Sequence, residues 1–227
     1  MTSSFDGSVG DPVGGAFTAA GPAPLPTHLR PLRQIHRGLR RDAHRLQGVV
    51  RVLPARAEAV QGWWDRVSAV LAWYLDTKEQ LLYPALRHRR GWPADRSLLL
   101  DDHAALRAAG QSVTRALAQA SEPTPLDQPP LESIVTWFEE LMTGHLTLAE
   151  RLLWPAIAET LTRTEVLALE RRVLLQAGPL TLVFLAPWVL DGLDDEAASA
   201  VLATMPPPVR ALSRTALAWR YQRWRWW

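Results

Sequence analysis

One frame occurs twice in this chain, and nothing else in it restricts the possible folds so tightly. The first copy runs Tyr74 … Lys78-Glu79 … Tyr83-Pro84-Ala85-Leu86, and the second runs His145 … Ala149-Glu150 … Trp154-Pro155-Ala156-Ile157. Glu150 aligns with Glu79, Trp154-Pro155-Ala156 with Tyr83-Pro84-Ala85, and His145 with Tyr74. A second echo pairs Asp42-Ala43-His44 with Asp101-Asp102-His103, each ahead of one copy. The order is that of an internal duplication of two helix pairs.

Apolar periodicity carries the pairs as helices. Leu32, Ile35, Leu39, Leu46, Val49, Val50 and Leu53 form a stripe at helical spacing, predicting a first helix over 31–53 that Pro54 interrupts. A second helix is predicted over 55–87, a turn at Gly91-Trp92-Pro93, and a third helix over 94–120. The segment 121–130 reads as a loop, and a fourth helix covers 131–160. Long helices joined in this order describe an all-α, up-down four-helix bundle over 28–160. Residues 161–227 add further helices, expected at 165–176, 180–190, 194–205 and 209–227. This apolar extension is expected to pack on the bundle, because free in water it would expose a large apolar patch. Residues 1–27, rich in Gly, Pro, Ser and Ala, read as a disordered leader without a secretory pattern.

The fourth-helix motif His145 … Glu150 … Leu153-Trp154-Pro155, with Asp42-Ala43-His44 and Asp102-His103, resembles the hemerythrin-like family over roughly residues 30–160. That resemblance implies a four-helix bundle holding a non-haem iron pair on histidines and carboxylates. Two positions depart from it. Tyr74 stands where the family usually has its second-helix histidine, and Leu99 is apolar where oxygen-carrying members place another histidine.

The expected ligand set is therefore His44, Tyr74, Glu79, His103, His145 and Glu150. The glutamates serve as bridges and the imidazoles as terminal donors around two irons with an oxo or hydroxo bridge; the same donors accept manganese. His36 and His44 lie eight residues apart, roughly 80° around a helix and about 12 Å along it, so one straight helix cannot aim both at one ion. His44 is preferred because it echoes His103. His36, Asp42, Lys78 and Asp102 are assigned to the outer shell. Tyr74 has two readings, a phenolate ligand to ferric iron or a core aromatic whose hydroxyl hydrogen-bonds. Tyr74–Glu79 and His145–Glu150 are each spaced i to i+5, about 140° apart on a regular helix, so a π-bulge or kink is expected in both helices. A metal-free alternative also exists, in which Lys78 forms a salt bridge with the adjacent Glu79.

Cysteine is absent, which excludes disulfides and thiolate metal sites. A formal charge of +2 does not point to nucleic acid, and a pI near 9.5 reflects arginine, since Lys78 is the sole lysine. Arginine bias of this kind is common in GC-rich bacterial genomes. The uncharged stretch 173–190 is interrupted by Gly178, Pro179 and Pro187, so it reads as a buried broken helix and not a membrane span. A cytoplasmic location follows. The ending Trp219 … Trp227 alternates Arg and Trp and suits packing or a homodimer contact. The leading functional expectation is an oxidoreductase using dioxygen or peroxide, on a small organic substrate enclosed by the extension. The rival is a non-catalytic sensor or store for oxygen, nitric oxide or iron. A third reading is a helical interaction protein whose metal site has decayed.

Overall fold

A computed structural model describes residues 30–89, 96–119, 130–203, 205, 207–213 and 215–225. The leader 1–27, the turn at Gly91-Trp92-Pro93, the loop residues 121–129 and Trp226-Trp227 lie outside the described residues.

Helix α1, Arg30–Thr77, is a hairpin in all but its hydrogen-bond bookkeeping. Arg56 is non-helical (φ −138°, ψ 25°), two residues after Pro54, which has no N–H to donate. On a straight helix His36 and Tyr74 would be about 57 Å apart. Instead the Tyr74 hydroxyl sits 2.8 Å from His36 Nε2, so the two arms fold back antiparallel. The second arm continues through a π-turn, Lys78–Leu82, whose i to i+5 bond joins Tyr83 N–H to the Lys78 carbonyl, and ends in α2, Tyr83–Leu86. Helix α3, Arg96–Gln119, and α4, Leu131–Thr160, complete the bundle.

Two apolar clusters fill it. One gathers Leu46, Trp63, Trp64, Val70, Leu106 and Phe138; the Trp64 ring meets Phe138 edge-on at 5.3 Å and its Nε1–H donates to Thr114 Oγ1 at 2.8 Å. The other gathers Leu82, Leu86, Leu99, Ala149, Leu153 and Ile157. Charged and imidazole side chains occupy the level between them. Leu99 belongs wholly to the second cluster, at 0% exposure.

The extension continues with α5, Arg163–Gln176, then α6, Pro179–Leu190, α7, Asp195–Leu202, α8, Pro207–Ser213, and α9, Ala216–Gln222. Thr162 caps α5, in a reciprocal capping box with Glu165. Asp194 caps α7 by accepting from Ala197 N–H at 2.7 Å. The last helix expected over 209–227 is divided instead into α8 and α9. Helix α6 lies on α1, and its Trp188 is the anchor. The indole covers the backbone at Gly38, where an added Cβ would sit 2.5 Å from the ring. Its Nε1–H donates to Asp42 Oδ2 at 2.6 Å, while Arg41 and Arg45 hold Asp42 Oδ1 at 3.1 and 3.0 Å. Asp42, assigned from sequence to the outer shell of a metal site, thus faces away from it. It is fully buried and carries the extension. Trp224 packs intramolecularly, between Arg66 at 4.3 Å and Phe184 at 5.7 Å. No helix among the described residues is long and apolar enough to cross a membrane.

Two glycine substitutions should separate helix propensity from packing. Gly144 has open space around it, so Gly144→Ala is expected to stabilise by about 0.5–1 kcal/mol. Gly38→Ala gains the same propensity, but forcing the Trp188 ring outward costs about 1–3 kcal/mol, giving a net loss in urea denaturation. Equal gains in both variants would mean that Trp188 does not lie on α1.

Candidate functional site

Three imidazoles meet between the apolar clusters, and all three are buried: His36 from the first arm of α1, His103 from α3 and His145 from α4, at 1%, 0% and 1% exposure. The His103 and His145 rings are 4.9 Å apart. His36 reaches the group through Tyr74, whose ring lies 6.3 Å from His145.

One bonding pattern repeats at each imidazole. The Nδ1 side faces a carboxylate: Glu150 Oε1 at 2.9 Å from His36, Glu79 Oε1 at 2.7 Å from His103, and Asp102 Oδ2 at 3.3 Å from His145. An ionised carboxylate only accepts, so Nδ1 carries the proton and Nε2 is left to accept. It does so from the Tyr74 hydroxyl at 2.8 Å, the Tyr83 hydroxyl at 3.1 Å and Lys78 Nζ at 3.2 Å, respectively. All six ring nitrogens are therefore engaged.

Burial makes this pattern self-consistent. It pushes His36 and His103 down to about 4, although the Glu150 and Glu79 hydrogen bonds pull the other way. His145 is driven well below its ordinary value by burial and then by Lys78 and the other imidazoles. Burial raises Tyr74 well above 10, so its hydroxyl is the donor its geometry requires. Burial also draws the Lys78 amine well below 10.5, against the pull of Glu150 and Asp102.

The carboxylates expected to bridge metals are turned outward. Burial opposes ionisation of Glu150, but hydrogen bonds from His36 and from Arg40, at 2.5 Å, outweigh it and hold its pKa at about 2. Glu79 is lowered in the same way, against burial, by Arg107 at 2.7 Å and by His103, and Arg107 also reaches Asp76. The reason lies in helix phase. Tyr74 and Lys78 are i and i+4 and share a face of α1, whereas Glu79 falls about 140° away. The expected π-turn is present, but it begins at Lys78, too late to rotate Glu79 inward. No such turn occurs in α4, where fully buried Ala149 holds the inward place and Glu150 the outward one.

His44 is a further correction. Its side chain is 80% exposed and pairs with Glu139 at 3.0 Å. His36 takes the central place because Tyr74 meets it across the fold-back, and the 80° phase between the two histidines then sends His44 to the surface. The Asp-x-His echo was misleading. A better guide was His36-x-x-x-Arg40 against His103-x-x-x-Arg107, where each histidine and its arginine grip one glutamate. Arg40, Arg107 and Tyr83 were not singled out from sequence. Asp102 stands beside His145, its Oδ2 3.3 Å from Nδ1.

This arrangement does not fit a carboxylate-bridged metal pair. A ligating imidazole must aim a lone pair at the ion, and all three inward lone pairs here accept hydrogens from tyrosine or lysine. The bridging acids face arginines. A unit charge 4 Å from an ammonium costs about 4 kcal/mol at an effective dielectric near 20, and a divalent ion about twice that. Among the described residues no three His, Asp or Glu side chains converge on a position that could hold a metal ion.

A family model, the hemerythrin HHE cation binding domain, matches residues 27–157, more than half of the chain. Neither the curated proteins nor the solved structures contain a match.

Acid should loosen the bundle early. In the unfolded chain histidines take up protons near 6.5, but His36 and His103 resist them in the fold down to about 4. Their contribution is complete above 6.5 and is lost as pH falls toward 4; Glu150 extends the loss from 4.5 toward 2. Urea midpoints measured across this range are expected to fall steadily from pH 6.5 downward. A midpoint that rises between 6.5 and 5 would show that the imidazoles are charged in the fold.

Proposed function

The chain belongs to the hemerythrin HHE cation-binding domain family, and from that premise we propose that this member is a non-catalytic helical interaction protein, with its central cluster serving as a charge-balanced structural centre. The observation that carries this reading is the engagement of every inward imidazole nitrogen by Tyr74, Tyr83 or Lys78. Turnover of dioxygen, peroxide or an organic substrate needs a coordination position that opens and refills. Such chemistry on two irons or on manganese would require these bonds to break and both glutamates to leave their arginines. Two cavities stand at the extension. One, of about 410 Å³, is lined by Leu202, Pro207 and Arg210, and one, of about 300 Å³, by Trp73, Gln80 and Gln176; neither is lined by the imidazoles. These bonds support the interaction-protein reading over the redox enzyme expected from the resemblance.

Turnover decides the matter. The full chain, exposed anaerobically to ferrous iron or to manganese and freed of excess, is expected to consume oxygen or peroxide no faster than metal-free buffer. Sustained consumption that disappears in His103→Ala and His145→Ala would overturn the proposal.

A further inference from the structure

The family binds cations, yet the middle of this bundle already contains a lysine amine, whose protonated form burial opposes and the charges of Glu150 and Asp102 favour. Lys78 is 2% exposed and is the only lysine of the chain. Its Nζ lies 3.2 Å from His145 Nε2 and 4.2 Å over the centre of the Tyr74 ring, the electron-rich face that attracts a cation. Around it stand groups of the kind that would surround a metal: three imidazoles, a phenol, and acids at the periphery. We propose that the side chain of Lys78 is the resident cation of this HHE domain, an ammonium supplied by the chain itself that takes the place of a metal ion and keeps metal out.

Three observations support this independently of one another. The duplication places fully buried Ala149 at the position equivalent to Lys78, so one half of the bundle supplies the small residue and the other the long cationic one. The α-helical run up to Thr77 keeps Lys78 on the inward face of Tyr74, and the π-turn starts only after that placement is made. The two glutamates that would bridge a bound metal are instead paired with Arg40 and Arg107, and the charge of Asp102, beside His145, acts on Lys78. This inference rests on the interaction-protein reading and names the cation at its centre.

A single lysine makes the test direct. In the full chain labelled with ¹⁵Nζ-lysine, one side-chain ammonium resonance is expected, slow to exchange with water and shifted by the Tyr74 ring current. A resonance that exchanges as fast as that of a free lysine overturns the proposal. Metal content gives the second arm, by elemental analysis after anaerobic loading with ferrous iron or manganese. Wild type is expected to retain only traces, and Lys78→Glu, which puts a carboxylate on the inward face, is expected to gain stoichiometric metal. Should Lys78→Glu fail to fold, Lys78→Met removes the charge at similar volume and is expected to raise metal affinity at least about tenfold, equivalent to about 1.4 kcal/mol. Stoichiometric metal in wild type, lost in His145→Ala, sinks the internal-cation proposal, as does an unchanged affinity in both Lys78 variants. Metal bound without turnover defeats this inference alone. Turnover by the metal-free chain defeats the functional reading alone.

Discussion

Three imidazoles can share a buried level only if each finds an acceptor on one nitrogen and a donor on the other, and only if all stay uncharged. This bundle meets the condition by one rule applied three times: carboxylate outside, hydroxyl or amine inside. The remaining charges follow from it. Carboxylates that accept from imidazole need a second partner as they lose water, and Arg40 and Arg107 provide it for two of them. Both arginines stand one turn beyond the histidine that they assist, so each histidine and its guanidinium reach the same glutamate from one helix face. The cluster is a closed network, and breaking a single member would leave a buried polar group unpaired.

Helix α1 connects this network with the extension. His36 and Arg40 face the bundle centre, while Arg41, Asp42 and Arg45 face α6. The extension's grip is both apolar and ionic. Trp188 lies on bare backbone at Gly38, and Asp191 gathers Arg45 and the Tyr221 hydroxyl at 3.0 Å each. Because the same helix presents both faces, rotation of α1 that loosened Trp188 would also draw His36 away from Glu150.

Much of this could be read from the residues. The apolar stripes, the prolines and the repeated frame indicated a four-helix bundle with a helical appendage, and the equivalence of Glu79 and Glu150 survives as two like-placed acids, each held by a histidine and an arginine. The site was read less well, and for a definite reason. Choosing between His36 and His44 depends on where the first hairpin turns, since a shift of a few residues at Arg56 would bring a different face of the first arm opposite Tyr74. The short echo Asp-x-His carries no information about that turn.

By itself the sequence determined the periodicity and therefore the helices, the doubling and therefore the pairing of halves, and the absence of any thiolate ligand. Only the tertiary structure decided which residue of each inward turn meets the centre. That outcome depends on phase: i+4 keeps Lys78 with Tyr74, i+5 carries Glu79 and Glu150 out to the arginines, and one π-turn starting a residue too late cannot reverse it. A lysine beside a glutamate is an ordinary surface pair in a linear reading. Three-dimensional packing separates them by roughly 100° of helix rotation, burying the cation and exposing part of the acid.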